Sequence, residues 1–95
     1  MRRAAKVDRN QAEITAALRD VGASVQPIHT LGSGVPDLLV GWQGVNFLLE
    51  IKDGNLSPSK RVLTQDEATW HAKWRGTVTT VNNVDEALRA IGVLL

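Results

Sequence analysis

Two carboxylates and one ammonium group have the residue types and spacing for chemistry in the first half of the chain. Asp37 and Glu50 stand at the two ends of an apolar stretch, and Lys52 follows Glu50 by two positions. Carboxylate oxygens are ligands that hard divalent cations prefer in proteins. A nearby ammonium group can bind a negatively charged substrate. These residue types therefore suit a site that holds a cation and an anionic substrate together.

A β-hairpin would bring the two carboxylates side by side. Apolar runs with β-prone residues flank Gln43 and Gly44, and a glycine at this point is typical of a tight two-residue turn. If Gln43 and Gly44 form the turn, Asp37 lies directly opposite Glu50. Opposed side chains have Cβ atoms roughly 4.5 to 5.5 Å apart, and like charges there are destabilising unless something neutralises them. A divalent cation would do so.

Strand alternation assigns the hairpin side chains to two faces. The predicted core face consists of Leu38, Val40, Trp42, Val45, Phe47, Leu49 and Ile51. The other face carries Asp37, Glu50 and Lys52. The alternative is a surface hairpin that ends in a solvated pair of Glu50 and Lys52, with Asp37 unrelated to them.

The motifs in this stretch resemble those of a nuclease superfamily. Gly34-Val35-Pro36-Asp37 supplies a Pro-Asp motif, Glu50-Ile51-Lys52 supplies a Glu-x-Lys motif after a short hairpin, and Gln65 opens the next helix. This combination resembles the PD-(D/E)XK signature and is most similar to the VRR-Nuc family in its stand-alone, virus-type form. The resemblance covers most of the chain, from about Gln11 to Gly92. It implies an α/β, restriction-endonuclease-like fold with an α-β-β-β-α-β-α core and a mixed sheet flanked by helices.

The resemblance also implies roles for individual residues. The implied ligands of a Mg²⁺ or Mn²⁺ ion are Asp37, Glu50, the backbone carbonyl of Ile51 and, directly or through water, Glu13. Asp37, Glu50, Lys52 and Gln65 are the implied catalytic residues. Lys52 would orient the attacking water and stabilise the transition state, and Gln65 would position the substrate or Lys52. By sequence alone, Glu13 and Gln65 also fit ordinary surface positions on helices.

The activity that the resemblance implies is metal-dependent hydrolysis of DNA phosphodiester bonds. Stand-alone members of the family resemble homodimers that act on branched DNA such as four-way junctions, which connects them with DNA repair. A dimer is also physically reasonable, because symmetric cutting of two strands requires two active sites related by a two-fold axis. The alternatives are a non-catalytic nucleic-acid-binding or assembly module with the nuclease fold, and a small protein-interaction domain.

The remaining elements follow from hydrophobic periodicity and capping residues. The predicted elements are a helix from Asp8 to Gly22, a strand from Ala23 to Ile28, the hairpin, a helix that begins at Thr64 and ends at Gly76, a strand from Thr77 to Val81 and a last helix capped by Asn83. Thr64 and Glu67 stand at the spacing of a capping box. Asp8 or Asn10 is the expected cap of the first helix.

Length and composition predict one small domain over residues 1–95, with residues 1–7 flexible. The chain has 95 residues, of which 43% are hydrophobic. It has no cysteine, which excludes disulfides, thiolate metal sites and cysteine nucleophiles. Its apolar runs are far shorter than the roughly 20 residues of a membrane helix. We therefore expect a protein with no membrane partner that resides in the cytoplasm, or in the host cell cytoplasm if the protein is viral.

The net charge of +1 does not by itself indicate a nucleic-acid-binding protein. The positive residues are nevertheless clustered, and clusters of this kind can contact phosphates. The predicted DNA-binding residues are Arg2, Arg3, Lys6 and Arg9 near the N-terminus and Lys60 and Arg61 in the loop after the hairpin. A solvated tail is the alternative for the N-terminal cluster.

Trp70 and Trp74 lie four positions apart on the predicted second helix and are therefore neighbours on its surface. We interpret them as core or dimer-interface residues in preference to platforms on which DNA bases stack.

Overall fold

The computed structural model describes residues 8–95 and contains three α-helices and a four-stranded sheet. The elements are α1 (Gln11–Asp20), β1 (Ser24–Pro27), β2 (Leu38–Trp42), β3 (Val45–Ile51), α2 (Gln65–Lys73), β4 (Thr79–Val81) and α3 (Val84–Ala90), with 3₁₀ turns at His29–Leu31 and Pro58–Lys60. The predicted order of helices and strands is confirmed. Within residues 8–95, none of the helices has the length and apolar character needed to cross a membrane.

The four strands form one mixed sheet in the order β1-β2-β3-β4. The first three strands are antiparallel neighbours, and β4 pairs in parallel with β3 because α2 forms the crossover between them. In the hairpin, Val40 lies opposite Phe47 and Leu38 lies opposite Leu49, which confirms the predicted register. Gln43 and Gly44 both have positive φ, 51° and 79°, as the tight turns of two-residue hairpins require.

The hydrophobic core lies between one face of the sheet and the helices α1 and α3. Leu38, Val40, Leu49 and Ile51 of the predicted core face are fully buried. They pack with Ile14 and Leu18 of α1, Val81 of β4, and Ala87 and Ile91 at α3. The prediction of the core face is less accurate at the hairpin turn. Val45 is half exposed there because neither helix extends that far.

Helix α1 begins at Gln11 and is joined to the sheet through Asn10. Asn10 occupies the N-cap position, but its side chain makes no capping hydrogen bond. Its amide instead donates to the backbone carbonyls of Lys52 and Asn82, at 3.1 and 3.0 Å. This contact ties the start of α1 to the ends of β3 and β4.

Helix α2 begins with the predicted capping box. The hydroxyl of Thr64 accepts a hydrogen bond from the Glu67 amide, and the Glu67 carboxylate accepts one from the Thr64 amide. The loop before β2 contacts this first turn at Gly34, whose φ is +83°. A Cβ atom at Gly34 would overlap the backbone carbonyl of Asp66, so only glycine permits this close approach.

The end of α2 differs from the sequence prediction. The helix ends at Lys73, three residues before Gly76, because the backbone of Trp74 is extended. The ring of Trp74 stacks on that of Trp70, with centroids 4.6 Å apart and planes at 17°. Trp74 remains 47% exposed, so this residue is not part of the core.

Candidate metal-binding and catalytic site

An open pocket of about 380 Å³ lies where the start of α1, the ends of β2 and β3 and the first turn of α2 meet. Its charged lining residues are Asp8, Arg9, Asp37, Glu50, Lys52, Asp53, Lys60 and Glu67, and its other lining residues are Leu56, Val62 and Thr64. The pocket thus brings together acidic groups, which suit a cation, and basic groups, which suit an anionic substrate. It contains Asp37, Glu50 and Lys52, the three residues of the predicted site.

Asp37 is fixed at the edge of the pocket by the strand beside it. Its amide donates to the carbonyl of Leu49 at 3.1 Å, and its Oδ2 accepts a hydrogen bond from the Ile51 amide at 2.7 Å. The N–H and C=O groups of one strand residue point to the same side of the strand, so the Ile51 carbonyl also lies on the Asp37 side. The hydrogen bond from the Ile51 amide to Asp37 thus places the Asp37 carboxylate and the Ile51 carbonyl, two oxygen donors, on the same side of β3.

Glu50 neighbours Asp37 on the sheet face that α1 and α3 leave free. The paired register of the hairpin ends at Leu38 and Leu49, so the predicted direct pairing of Asp37 with Glu50 lies beyond the ladder. It is 1% exposed, and its Oε1 has no hydrogen-bond partner. Burial, followed by hydrogen bonding to Asp37 and the charge of Asp37, raises the pKa of Glu50 to about 10. The raised pKa favours the protonated form of Glu50, which carries no charge to repel Asp37.

Lys52 is held by Glu67 on the first turn of α2. The two charged groups are 2.7 Å apart, and Glu67 Oε1 also accepts the Thr64 amide at 2.9 Å. Burial is the largest influence and opposes the charge on both groups. Their mutual hydrogen bond and the attraction of opposite charges together outweigh it, so the pKa of Lys52 is raised and that of Glu67 is lowered. Lys52 is therefore a fixed cation beside the carboxylate pair.

The pocket is also lined by two carboxylates that the sequence did not indicate as site residues, those of Asp8 and Asp53. Asp8 reaches it because Asn10, two positions later, is hydrogen-bonded to the Lys52 carbonyl. Burial raises the pKa of Asp8, the charge of Lys52 opposes this, and the charge of Asp37 adds to it. Asp53 follows Lys52 directly and is 5% exposed. The sequence offered Asp8 only as a helix cap.

Two predicted site residues are not brought to the pocket. Glu13 is exposed on α1 and lines a separate depression with Asp85 and Arg89, since the buried side of this helix carries Ile14. The carboxylate that reaches the pocket from the start of α1 is therefore that of Asp8, not that of Glu13. Gln65 is also exposed.

Gln65 points along α2 rather than toward the carboxylates. Its Nε2 lies 3.4 Å from Thr69 Oγ1 on the same helix. A helix turns about 100° per residue, so the third helical position, Glu67, faces the pocket when the first position does not. The capping box was the one sequence signal that could have identified Glu67, because it fixes the side on which that carboxylate lies.

Of the predicted DNA-binding residues, Arg9 and Lys60 are exposed and line the pocket. Arg61 is half-buried and follows Lys60 in the loop, and its Nε is buried without a hydrogen-bond partner. Arg2, Arg3 and Lys6 lie outside the described residues. The pocket thus has positive groups at its opening from both the α1 side and the loop side.

His71 contacts the site from α2, four positions after Glu67. Its Nε2 lies 3.6 Å from Glu50 Oε1, and neither atom has a hydrogen-bond partner. Burial lowers the pKa of His71, which favours the neutral imidazole. No local sequence pattern indicates this residue, because its place beside Glu50 depends on how α2 packs on the sheet.

The donor atoms fit a hard divalent cation. Within residues 8–95, no group of three or more His, Cys, Asp or Glu side chains has an arrangement that would hold a metal ion by itself. Mg²⁺, however, is usually bound through one or two carboxylates, with water and substrate phosphates as its other ligands. The carboxylates of Asp37 and Glu50 meet that requirement, since both are buried and line the same pocket.

Comparisons with protein-family models, with curated proteins and with solved structures found no match for this chain. The resemblance to the VRR-Nuc family therefore stays a prediction that rests on the Pro-Asp and Glu-x-Lys motifs.

Proposed function

We propose that the protein is a metal-dependent endonuclease that hydrolyses DNA phosphodiester bonds, with a VRR-Nuc-like, restriction-endonuclease-like core. The observation that carries this proposal is the pairing of Asp37 and Glu50, two adjacent buried carboxylates, in one pocket with Lys52. A purely structural hairpin gains nothing from two opposed carboxylates, because each raises the cost of ionising the other.

The metal ligands in this proposal are Asp37, Glu50 and the backbone carbonyl of Ile51, with Asp8 close enough to the pocket to assist through water. Mg²⁺ or Mn²⁺ suits these oxygen donors. When bound, such a cation supplies a water of lowered pKa and offsets negative charge on the scissile phosphate. The protein's part is to hold two carboxylates side by side, where a cation would offset the charge of their ionised forms.

Lys52 stabilises the charge that develops on the phosphate and orients the attacking water. A preorganised positive group of this kind is worth several kcal/mol because it does not have to reorganise during the reaction. Glu67 keeps the Lys52 ammonium in place through the 2.7 Å contact. Glu67 thereby takes the positioning role that the sequence analysis gave to Gln65.

DNA would approach the pocket across Arg9 and Lys60, which line it and are exposed. Contacts of this type are made to phosphates and carry no sequence information. Binding should therefore weaken as the salt concentration rises. Selectivity for branched DNA such as four-way junctions is proposed on the family resemblance.

We further propose that the active form is a homodimer. An apolar groove lies on the side of the sheet away from α1 and α3, lined by Ile28, Leu31, Val35, Leu39, Leu48, Trp70 and Trp74. Leu31 is 70% exposed and Trp74 is 47% exposed. A domain of this size buries limited apolar surface by itself, and a second copy of the chain would cover the groove and provide the second active site that paired cutting needs.

Cleavage of a panel of labelled DNA structures, with Mg²⁺, Mn²⁺ or a chelator, tests the proposal. We expect cleavage that requires the metal, and a loss of at least about 100-fold in Asp37→Asn, Glu50→Gln and Lys52→Ala. Glu13→Gln is the matched control, because Glu13 lies outside the pocket and this variant should keep its activity. Full activity in a well-folded Lys52→Ala protein would refute the assignment.

The second candidate is a nucleic-acid-binding or assembly module that retains the fold without catalysis. One observation favours it: Lys52 is already paired with Glu67 and is not a free cation. This candidate predicts salt-sensitive DNA binding that is independent of metal, with no cleavage of any substrate in the panel. The cleavage assay and a binding assay in chelator distinguish the two functions.

A further inference from the structure

Two buried polar atoms face each other on the inner side of α2 without a hydrogen-bond partner. They are Oε1 of Glu50 and Nε2 of His71, which lie 3.6 Å apart. The side chains are 1% and 15% exposed. Buried polar atoms without partners are rare in folded proteins, and each one calls for an explanation.

The separation is slightly longer than a hydrogen bond, which for N–H···O extends to about 3.2 Å. A neutral imidazole carries its one proton on either ring nitrogen and can therefore present an N–H at Nε2. A small rotation of either side chain would complete a bond from this N–H to the carboxylate. His71 is thus placed to donate to Glu50.

The position of α2 connects the contact between His71 and Glu50 with the rest of the site. Glu67 and His71 are one helical turn apart and occupy the same side of the helix. Glu67 holds Lys52, and His71 faces Glu50. A single helix face therefore contacts two of the three proposed catalytic side chains.

We propose that His71 is a positioning residue: its Nε2–H donates to Oε1 of the Glu50 carboxylate and leaves the other oxygen of Glu50 for the divalent cation. This inference rests on the proposed function, in which Glu50 is a metal ligand. Groups that orient a metal ligand in this way typically change metal affinity by about 10 to 100-fold when they are removed.

The test measures Mn²⁺ affinity by titration followed by electron paramagnetic resonance, with no DNA present. His71→Asn shortens the side chain so that its amide no longer reaches Glu50, and we expect about 10-fold or greater loss of affinity. In His71→Gln, the longer side chain places an amide N–H near the position of Nε2, so we expect affinity within about 3-fold of wild type. Lys73→Ala, an exposed change on the same helix, is the control.

Glu50→Gln separates this inference from the proposed function. If the wild type binds no Mn²⁺, or if Glu50→Gln binds it as well as the wild type does, both proposals fail. If Glu50→Gln loses binding but a folded His71→Asn binds like the wild type, only the role of His71 is overturned. A directly coordinated nitrogen in the spectrum of the wild type would also overturn it, because His71 would then be a ligand itself. Loss in His71→Asn with retention in His71→Gln supports the inference.

Discussion

At the scale of single residues, the central feature is the proposed exchange of a proton for a cation at Glu50. Asp37 and Glu50 are held together by the backbone, so they cannot separate to relieve their repulsion. The pKa of Glu50, which burial and Asp37 raise to about 10, therefore favours the protonated form when no cation is bound. A divalent cation would replace that proton, because a metal ligand must be ionised.

The raised pKa of Glu50 predicts how stability depends on pH. Between its ordinary pKa of 4.5 and its folded pKa of about 10, the folded protein holds a proton that the unfolded chain has lost. The free energy of unfolding of the metal-free protein should therefore decrease as the pH rises through this range. Glu50→Gln should remove that contribution.

Urea unfolding in chelator at about pH 7 to 9 checks this prediction, since His71, whose pKa is lowered, is neutral there and does not contribute. We expect the slope of stability against pH to be smaller in Glu50→Gln than in the wild type. Equal slopes would show that Glu50 is ionised in the metal-free protein.

The same exchange predicts that divalent cations stabilise the protein increasingly as the pH rises. Binding to the folded state alone adds about 2.7 kcal/mol at a ligand concentration 100 times the Kd. Because the cation competes with the proton on Glu50, its apparent affinity should increase between about pH 6 and 8. Thermal unfolding with and without Mg²⁺ measures the effect, which should vanish in Asp37→Asn. A stabilisation that persists in Asp37→Asn would place the cation elsewhere.

At the scale of elements, the site depends on where the first turn of α2 lies. The capping box fixes the direction of Glu67 within the helix, and the contact with Gly34 fixes the helix against the loop before Asp37. The loop that contains Gly34 thus leads into Asp37 and also supports α2, which carries Glu67. On the other side of the pocket, the hydrogen bond from Asn10 to the Lys52 carbonyl fixes the start of α1 against the end of β3.

Gly34→Ala should destabilise the protein and displace the first turn of α2. The new Cβ would overlap the Asp66 carbonyl and lie 2.9 Å from the Glu67 nitrogen, in addition to the cost of positive φ. We expect a loss of about 2 to 4 kcal/mol. Gly44→Ala is the matched control, because Gly44 also has positive φ but has no atom within 4 Å of the added Cβ. It should cost only about 1 kcal/mol. Equal losses in urea unfolding would contradict the close contact.

At the scale of the whole molecule, the two sides of the sheet are covered unequally. One side is buried by α1 and α3, whereas α2 covers only the Glu50 end of the other side. The rest of that side exposes Leu39 next to the loop residue Leu31. Exposed apolar patches of this kind usually mark interaction surfaces.

If a second copy covers this groove, Leu31→Asp should convert the dimer to a monomer. Leu31 lies in a 3₁₀ turn and is 70% exposed, so the substitution should not disturb the core. It would place a charge in an apolar interface, where an unpaired charge is costly. Light scattering after size-exclusion chromatography measures the mass. Leu95→Asp, at another exposed apolar position, should leave the mass unchanged, and a monomeric wild type at micromolar concentration would contradict the dimer.

The sequence by itself determined the features that depend on local rules. The period of two in the strands and the turn at Gln43 and Gly44 set the hairpin register, and that register brings Asp37 and Glu50 to the same end of the hairpin. The spacing of Thr64 and Glu67 set the start of α2. These features were predictable because each depends on residues close together in the chain, whose geometry leaves few alternatives.

The tertiary structure decided which further side chains join that pair. Asp8 lies at the pocket in place of Glu13 because Asn10 binds the end of β3, and Glu67 and His71 face the site in place of Gln65 because of the angle at which α2 packs. Helix periodicity shows which residues share a side of a helix, but not which side meets a distant pocket. That choice is made by long-range contacts, which no local pattern contains.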